Sequence, residues 1–289
     1  PVPETGVTTK FLPLRALALT IRRLQLKGPR DFYEGPLASD IAQDVRAVGG
    51  VLSALDLAFY RAKIVEPHRV RYRGADIDCA PRGTAGPTLG RVLDLLSPNV
   101  FRPYGADAAS FVAYAEALRA AYAERLAEPA GTSTTHFNVV DRHGNMVALT
   151  QTLLSIFGSR VVLPDTGILM NNGIMWFDPR PGRANSIAPG KRPLTNMCPT
   201  IASRDGRPWM ALGASGGRRI LPAVAQTLSF VLDHGMDLER AFHHPRIDVS
   251  GGPAVDYDPA LPIDVRAALT QRFDARAQEA TLFPSHYAC

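Results

Sequence analysis

The chain has 289 residues, 46% hydrophobic and 20% charged, with 32 Lys and Arg against 27 Asp and Glu. That length allows one large domain or two small ones around a sizeable core, with the composition of an ordinary globular protein. A net charge of +5, spread without basic runs or interleaved aromatics, argues against a nucleic acid partner, and no apolar run approaches the roughly 18 residues of a membrane-spanning helix.

Along the chain, helical spacing covers residues 14–27 and 38–48, the second segment closing at Gly49-Gly50. His68 to Tyr72 and Ala75 to Cys79 read as short strands around Arg73-Gly74, and Thr88 to Leu96 as a short helix ending at Ser97-Pro98. A longer helix runs from about Ala108 to Ala127, with Phe111, Ala115, Leu118, Tyr122 and Leu126 on one stripe, Asp107 as N-cap and a stop at Pro129-Ala130-Gly131. The texture then turns to strands. His136 to Asp141 and Asn145 to Leu153 flank Arg142-His143-Gly144, and residues 160–170 suggest a further strand pair around Pro164-Asp165. After a Pro- and Gly-rich loop at 178–193, strands at 198–203 and 208–213 flank Arg204-Asp205-Gly206, and Ile220 to His234 is a helix stopped by Gly235. This order predicts an α+β fold, helices layered over antiparallel sheet.

Cys79, Cys198 and Cys289 are too widely spaced for a metal or disulfide motif and are expected to be buried thiols. The chain opens on Pro1 and ends at Cys289 within an apolar phrase, so it reads as a piece of a longer precursor whose export signal, if any, lies upstream. Localisation is left open.

The chemistry centres on Gly131-Thr132-Ser133-Thr134-Thr135-His136-Phe137. A threonine hydroxyl is a poor nucleophile without a base, but an N-terminal threonine carries its own, because α-amines titrate near about 7.7–8.0. Cutting the Ser133–Thr134 bond would make Thr134 both nucleophile and base. Taken alone, the segment better suits a polar linker entering a strand. A turn symmetric about His143 sharpens the reading, since it sets Val140 opposite Met146, Asn138 opposite Ala148, His136 opposite Thr150 and Thr134 opposite Thr152. Directly opposed residues have Cβ atoms about 4.5–5.5 Å apart, so Thr152 would reach the nucleophile, and a slip of one residue would remove it. Further on, Leu212-Gly213-Ala214-Ser215-Gly216-Gly217-Arg218 joins an apolar strand to a helix through tandem glycines. Such a turn can present two backbone N–H groups as an oxyanion hole, or serve simply as a tight connection.

In order and spacing, Asp31 to Gly35, Thr134 to Phe137, Asp141 to Asn145, Gly167 to Asn172, Lys191 to Leu194, Pro199 to Ile201 and Gly213 to Gly217 resemble the γ-glutamyltranspeptidase family. The resemblance runs from about residue 12 to the end. It implies the four-layer αββα sandwich of N-terminal-nucleophile hydrolases and a precursor that splits before Thr134. Residues 1–133 would be the C-terminal part of the large subunit, and 134–289 a small catalytic subunit truncated at its end. By the same resemblance Thr134 is the nucleophile, Thr152 orients it, Ser133 and Thr134 flank the autocleavage bond, and Gly216 and Gly217 form the oxyanion hole. Thr195 and Asn196 stand where two serines hold a donor carboxylate. The implied partners are a γ-glutamyl or related acyl amide donor and a water or amine acceptor, with no metal and no cofactor. Members of the family are often exported.

The departures fall in the donor pocket. Leu154 stands where the family has an asparagine, and Gly173 and Trp176 where a glutamine and an aspartate hold the donor's amino group. An ammonium without its carboxylate loses a charge-assisted bond of about 1.5–3 kcal/mol, whereas Trp176 offers an aromatic wall. The expected function is therefore amide acyl transfer on γ-glutamyl donors, or alternatively on glutaryl or cephalosporin-like ones. Two remoter readings remain: an α/β-hydrolase elbow at Gly213 to Gly217 with Ser215 as nucleophile, Asp233 or Asp237 and His243 or His244, and an inactive, uncleaved scaffold. His243-His244 lacks a third ligand at metal spacing.

Overall fold

The computed structural model describes residues 14–125, 133–250 and 252–278. The predicted helix stop at Pro129-Ala130-Gly131, Leu126 of the helical stripe, Gly131 and Thr132 of the nucleophile segment, and Cys289 lie outside them. The chain forms two compact units, one containing the residues up to Ile64 with Gly158–Met170, the other Val65–Phe157 with Asn171 onward.

The smaller unit holds α1 (Arg15–Lys27), α2 (Asp31–Glu34), α3 (Pro36–Ala47) and α4 (Ala54–Phe59). Pro36 opens α3, where its missing N–H costs nothing, and Ser53 and Asp56 form a reciprocal capping box on α4. Leu37 and Ile41 of α3 pack on Leu163 in a small core. The strand pair expected at 160–170 reduces to one bridge, Val162 to Leu169. Pro164 has no N–H to extend the ladder, and Gly167 already turns back with its N–H on the Leu163 carbonyl at 2.8 Å.

The larger unit holds β1 (His68–Tyr72), β2 (Ala75–Cys79), α5 (Gly86–Leu96), α6 (Ala108–Glu124), β3 (Ser133–Val140), β4 (Met146–Leu154), β5 (Thr200–Arg204), β6 (Arg207–Leu212), α7 (Ile220–Leu232), α8 (Leu238–His243), β7 (Ile247–Asp248), β8 (Val255–Tyr257), α9 (Ile263–Arg272) and β9 (Ala275–Ala277). The β5–β6 turn is made by Asp205 (φ 51°) and Gly206 (φ 72°), the doubly left-handed geometry of a two-residue hairpin. Its four-stranded sheet runs β1-β2-β5-β6, all antiparallel, with Cys79 beside Thr200 and Ile77 beside Ala202. Strands from either side of the Ser133–Thr134 bond thus share one sheet.

One face of this sheet carries α5, α6 and α7, whose Leu89, Leu93, Phe111, Leu118, Leu221, Leu228 and Phe230 form the main core. Asp107 caps α6 through the Ser110 N–H, as the sequence predicts. Every residue of α7 from Ile220 to Val231 is buried, so this helix crosses the core rather than its surface. Against the other face lies the β3–β4 hairpin, packed on β5 and β6. The described residues of this unit therefore supply helices, sheet and second sheet, and the outer face of β3–β4 leaves Phe137, Val139, Val147 and Leu149 exposed. A small sheet, β7-β8-β9, and helix α9 follow, none of them foreseen from sequence. Cys79 and Cys198 are buried free thiols, and burial pushes Cys198 up to about 12.

Candidate active site

The register of the β3–β4 hairpin is the one that a turn symmetric about His143 requires. Asn138 faces Ala148, His136 faces Thr150, and Thr134 faces Thr152. Asp141 holds the turn by accepting the N–H groups of His143 and Asn145 at 2.8 and 2.9 Å. The Thr134 hydroxyl donates to the Thr152 hydroxyl at 3.3 Å, and the same Thr152 oxygen accepts the Leu154 N–H at 2.9 Å.

Beyond this pair the strands lose step. Ser133 pairs with Leu154 while Thr134 pairs with Thr152, so Leu153 is the extra residue of a bulge. Leu154 consequently sits in a left-handed conformation, φ 76°, unusual outside glycine and costing about 1–2 kcal/mol. The strain turns a buried leucine into the space beside Thr134.

That space is a narrow cleft of about 10 Å³ lined by Thr134, Leu154, Trp176, Asn196, Met197, Gly217 and Ile220, room for about one water molecule. None of these side chains titrates. The Asn196 amide nitrogen is buried with no hydrogen-bond partner among the described residues. An orphaned buried donor of this kind costs about 1–3 kcal/mol until an acceptor reaches it.

Trp176 closes a one-turn helix, Gly173–Trp176, and its ring lies on Gly173, where a Cβ would come within 3.2 Å of the indole Cζ3. The absent side chain at 173 is what makes room for the indole. Asn185, buried in the Pro- and Gly-rich loop, donates to the Trp176 carbonyl at 2.7 Å and accepts the Leu194 N–H at 3.1 Å. One side chain thereby joins the Trp176 wall to the segment carrying Asn196. Asn172 ties the same wall to the end of β4, donating to the Ser155 hydroxyl at 2.8 Å and accepting the Ser155 N–H at 3.0 Å.

Gly216 (φ 120°) and Gly217 (φ 64°) form the turn into α7, both in backbone states that only glycine adopts readily. The Tyr122 hydroxyl, donating to the Arg218 carbonyl at 2.5 Å, and the Arg219–Asp248 ion pair at 3.2 Å hold this turn from the side of α6 and β7.

Of the residues singled out in the sequence, Thr134, Leu154, Trp176, Asn196 and Gly217 line the cleft, and Thr152 and Gly216 adjoin these through Thr134 and Gly217. Gly173 underlies Trp176, and Thr195 stands beside the cleft with its N–H on the Gly83 carbonyl at 2.9 Å and its own carbonyl bound by Arg125 at 2.8 Å. Met197 and Ile220 line the cleft without having been foreseen. They carry no polar chemistry, and only packing brings them there.

The elbow reading of Ser215 is not assembled. Asp233 is engaged by Tyr72, Arg73 and Ser229, Asp237 caps α8, His243 packs edge-on to Phe242, and His244 bonds the Pro245 carbonyl. Among the described residues no group of three His, Cys, Asp or Glu side chains is placed for a metal, and no helix is long and apolar enough to cross a membrane.

The profile of the Gamma-glutamyltranspeptidase family matches residues 4–129 and 122–285. The Acylase ACY 1 proenzyme of Pseudomonas sp. (strain SE83) is 33% identical over 88% of this chain and 53% of its own length. The Glutathione hydrolase proenzyme of Escherichia coli (strain K12) is 31% identical over 80% of this chain and 50% of its own. The crystal structure of cephalosporin acylase from Bacillus halodurans superposes with a TM-score of 0.84 at 25% identity, covering 92% of this chain and 56% of that one. The chain spans about half the length of the curated relatives it matches. An α+β fold of helices on paired antiparallel sheets, a profile match over nearly the whole chain and these relatives together establish that the chain belongs to the γ-glutamyltranspeptidase family of N-terminal-nucleophile hydrolases.

Proposed function

We propose that this chain carries the catalytic centre of an autoprocessing amidohydrolase and acyltransferase that uses Thr134 as an N-terminal nucleophile. The observation that carries the reading is the Thr134 hydroxyl held on Thr152 in a cleft without any titratable side chain.

In maturation the Thr134 hydroxyl attacks the Ser133 carbonyl, the peptide shifts to an ester, and water opens it to a Ser133 carboxylate and a free Thr134 amine. Residues 1–133 and 134–289 then belong to separate subunits of one precursor, held by the β2–β5 pairing. Cleavage also frees Ser133 from its pairing with Leu154, a residue of the cleft.

In turnover the Thr134 hydroxyl attacks the donor amide carbonyl while its α-amine takes the proton. The N–H groups of Gly216 and Gly217 stabilise the resulting oxyanion. As the C–N bond breaks, the amine returns the proton to the leaving nitrogen, leaving an acyl ester on Thr134. Water or an amine acceptor resolves it.

Asn196, with its unpaired buried donor and Thr195 beside it, is suited to an anionic end of the acyl group. Leu154 and the Trp176–Gly173 stack give the rest of the wall an apolar character with no carboxylate for an α-ammonium. This favours an acyl group without the amine, glutaryl-like, over γ-glutamyl. The relatives bear both kinds of name, acylase and glutathione hydrolase. The γ-glutamyl reading survives if Asn171, exposed at the rim, recovers the ammonium.

Intact mass spectrometry of the full-length protein tests the core of the proposal. Two fragments are expected, the smaller beginning Thr134-Thr135-His136, and Thr134→Ala should abolish both splitting and turnover. An intact chain with full activity would refute the mechanism, and an intact chain with none would favour the scaffold reading.

A further inference from the structure

His136 lies on the same inward face of β3 as Thr134, two residues along, and is only 6% exposed. Both ring nitrogens are engaged. Nδ1 meets the hydroxyl of Thr150, directly opposite on β4, at 2.8 Å, and Nε2 meets the Asn138 side-chain oxygen at 2.9 Å. An acceptor at Asn138 assigns the proton to Nε2 and leaves Nδ1 to accept from Thr150, so the neutral ring is fully satisfied. Burial pushes its pKa down, in keeping with that neutral form.

The ring's flat side rests on Gly213, the residue that leaves β6 and opens the turn toward Gly216 and Gly217. A Cβ at Gly213 would fall 2.1, 2.3 and 2.4 Å from Cε1, Nδ1 and Nε2 of His136. Those distances mean overlap with the imidazole itself, not contact with a flexible tip. Gly213 is therefore glycine because the ring occupies the place of its side chain. The two hydrogen bonds prevent the ring from tilting away.

We propose that His136 is a positioning residue for the oxyanion turn, its hydrogen-bonded ring acting as a spacer that sets the distance between the nucleophile's strand and the segment from Gly213 to Gly217. The inference rests on the reading of Thr134 as nucleophile and of Gly216 and Gly217 as oxyanion donors. On the far side the turn is held by Tyr122 and by the Arg219–Asp248 pair, and on the near side the imidazole is a contact through which β3 bears on it. Oxyanion donors act in the transition state, and a displacement of about 1 Å can cost on the order of a hundredfold in rate. A methyl group at Gly213 forces a shift of that size.

The test is a size exchange read by kinetics. Gly213→Ala should lower kcat by roughly tenfold to a hundredfold while the donor KM changes by less than about threefold, and should slow release of the Thr134 terminus. His136→Ala combined with Gly213→Ala should recover most of the kcat lost in Gly213→Ala, because the vacated ring space accepts the methyl. Core filling by His136 without positioning would instead give losses that multiply, or a parental kcat in Gly213→Ala, and either result overturns the inference. Should Gly213→Ala fail to fold, His136→Phe against His136→Ala decides. The flat ring of Phe keeps the spacing, so a kcat for Phe no better than for Ala also overturns it. Thr134→Ala is measured in parallel. If that variant stays active, the nucleophile reading has failed; if it is inert and the Gly213 variant has parental kcat, only the spacer has failed.

Discussion

Replacing Thr152 by valine removes one oxygen and leaves nearly the same shape, so its effects can be worked out from two hydrogen bonds. The first is the 2.9 Å bond from the Leu154 N–H, in a bulge that already holds Leu154 at φ 76°. Without its acceptor this N–H is left unsatisfied beside a buried side chain, which costs about 1–3 kcal/mol. For a protein of this size that corresponds to a fall of roughly 2–12 °C in Tm, at about 2–4 °C per kcal/mol. The second is the 3.3 Å bond from the Thr134 hydroxyl. Released from Thr152, that hydroxyl samples about three staggered rotamers instead of one, a factor of roughly three, and loses its aim at the carbonyl, a further factor on the order of tenfold. The expected loss in kcat is about thirtyfold, or about 2 kcal/mol. Thr152→Ser keeps the oxygen and should remain within about threefold of the parent. Maturation is followed by intact mass against time and turnover with a chromogenic amide. Parental rates for Thr152→Val in both assays would refute the orienting role, and equal damage from Ser and Val would transfer the effect to packing of the methyl group.

The donor pocket should turn over a glutaryl amide at least as well as the γ-glutamyl amide of the same leaving group, and a preference of about a hundredfold for γ-glutamyl, roughly 2.7 kcal/mol, would mean that the ammonium is specifically held after all. Trp176→Asp, which restores an anion and uncovers Gly173, should shift that kcat/KM ratio toward γ-glutamyl by about tenfold or more, the worth of one charge-assisted hydrogen bond; an unchanged ratio would remove Trp176 from the pocket. Asn185→Leu cuts the link between the Trp176 carbonyl and the Leu194 N–H, so donor KM should rise severalfold while the rate of self-cleavage holds, and a parental KM would show that the two walls are held independently. Burial pushes the imidazoles of His136 and His244 below the ordinary histidine value. The unfolded chain therefore binds protons first as pH falls, so stability is full above about pH 6.5 and declines below it. Tm should drop between about pH 7 and pH 5, less steeply in His136→Gln, and an identical slope in that variant would exclude His136 as a contributor.

The β3–β4 hairpin could be read from the sequence because its determinants are local. Alternating strands around Asp141 to Asn145 impose one register, and that register alone sets Thr134 opposite Thr152. The same holds for the capped helix after Asp107 and for the hairpin around Asp205 and Gly206. The glycine turn at Gly213 to Gly217 could also be picked out from its residues, and resemblance supplied the rest of the expected site. What stayed hidden depends on partners distant in the chain. The bulge at Leu153, which aims Leu154 into the cleft, follows from packing and leaves no trace in periodicity. Strands of two or three residues such as β7, β8 and β9 carry too few side chains to show a period at all. Thr195 has its backbone bound by Gly83 and Arg125, while its neighbour Asn196 lines the cleft, a placement made by partners far off in the chain. The order β1-β2-β5-β6, which joins strands from before and after the Ser133–Thr134 bond in one sheet, is likewise decided by burial of a shared core. Local turn chemistry and side-chain alternation were thus enough to determine the register that sets Thr134 opposite Thr152. The walls of the cleft, and the seat of His136 on Gly213, were decided only when segments far apart in the chain competed for the same volume.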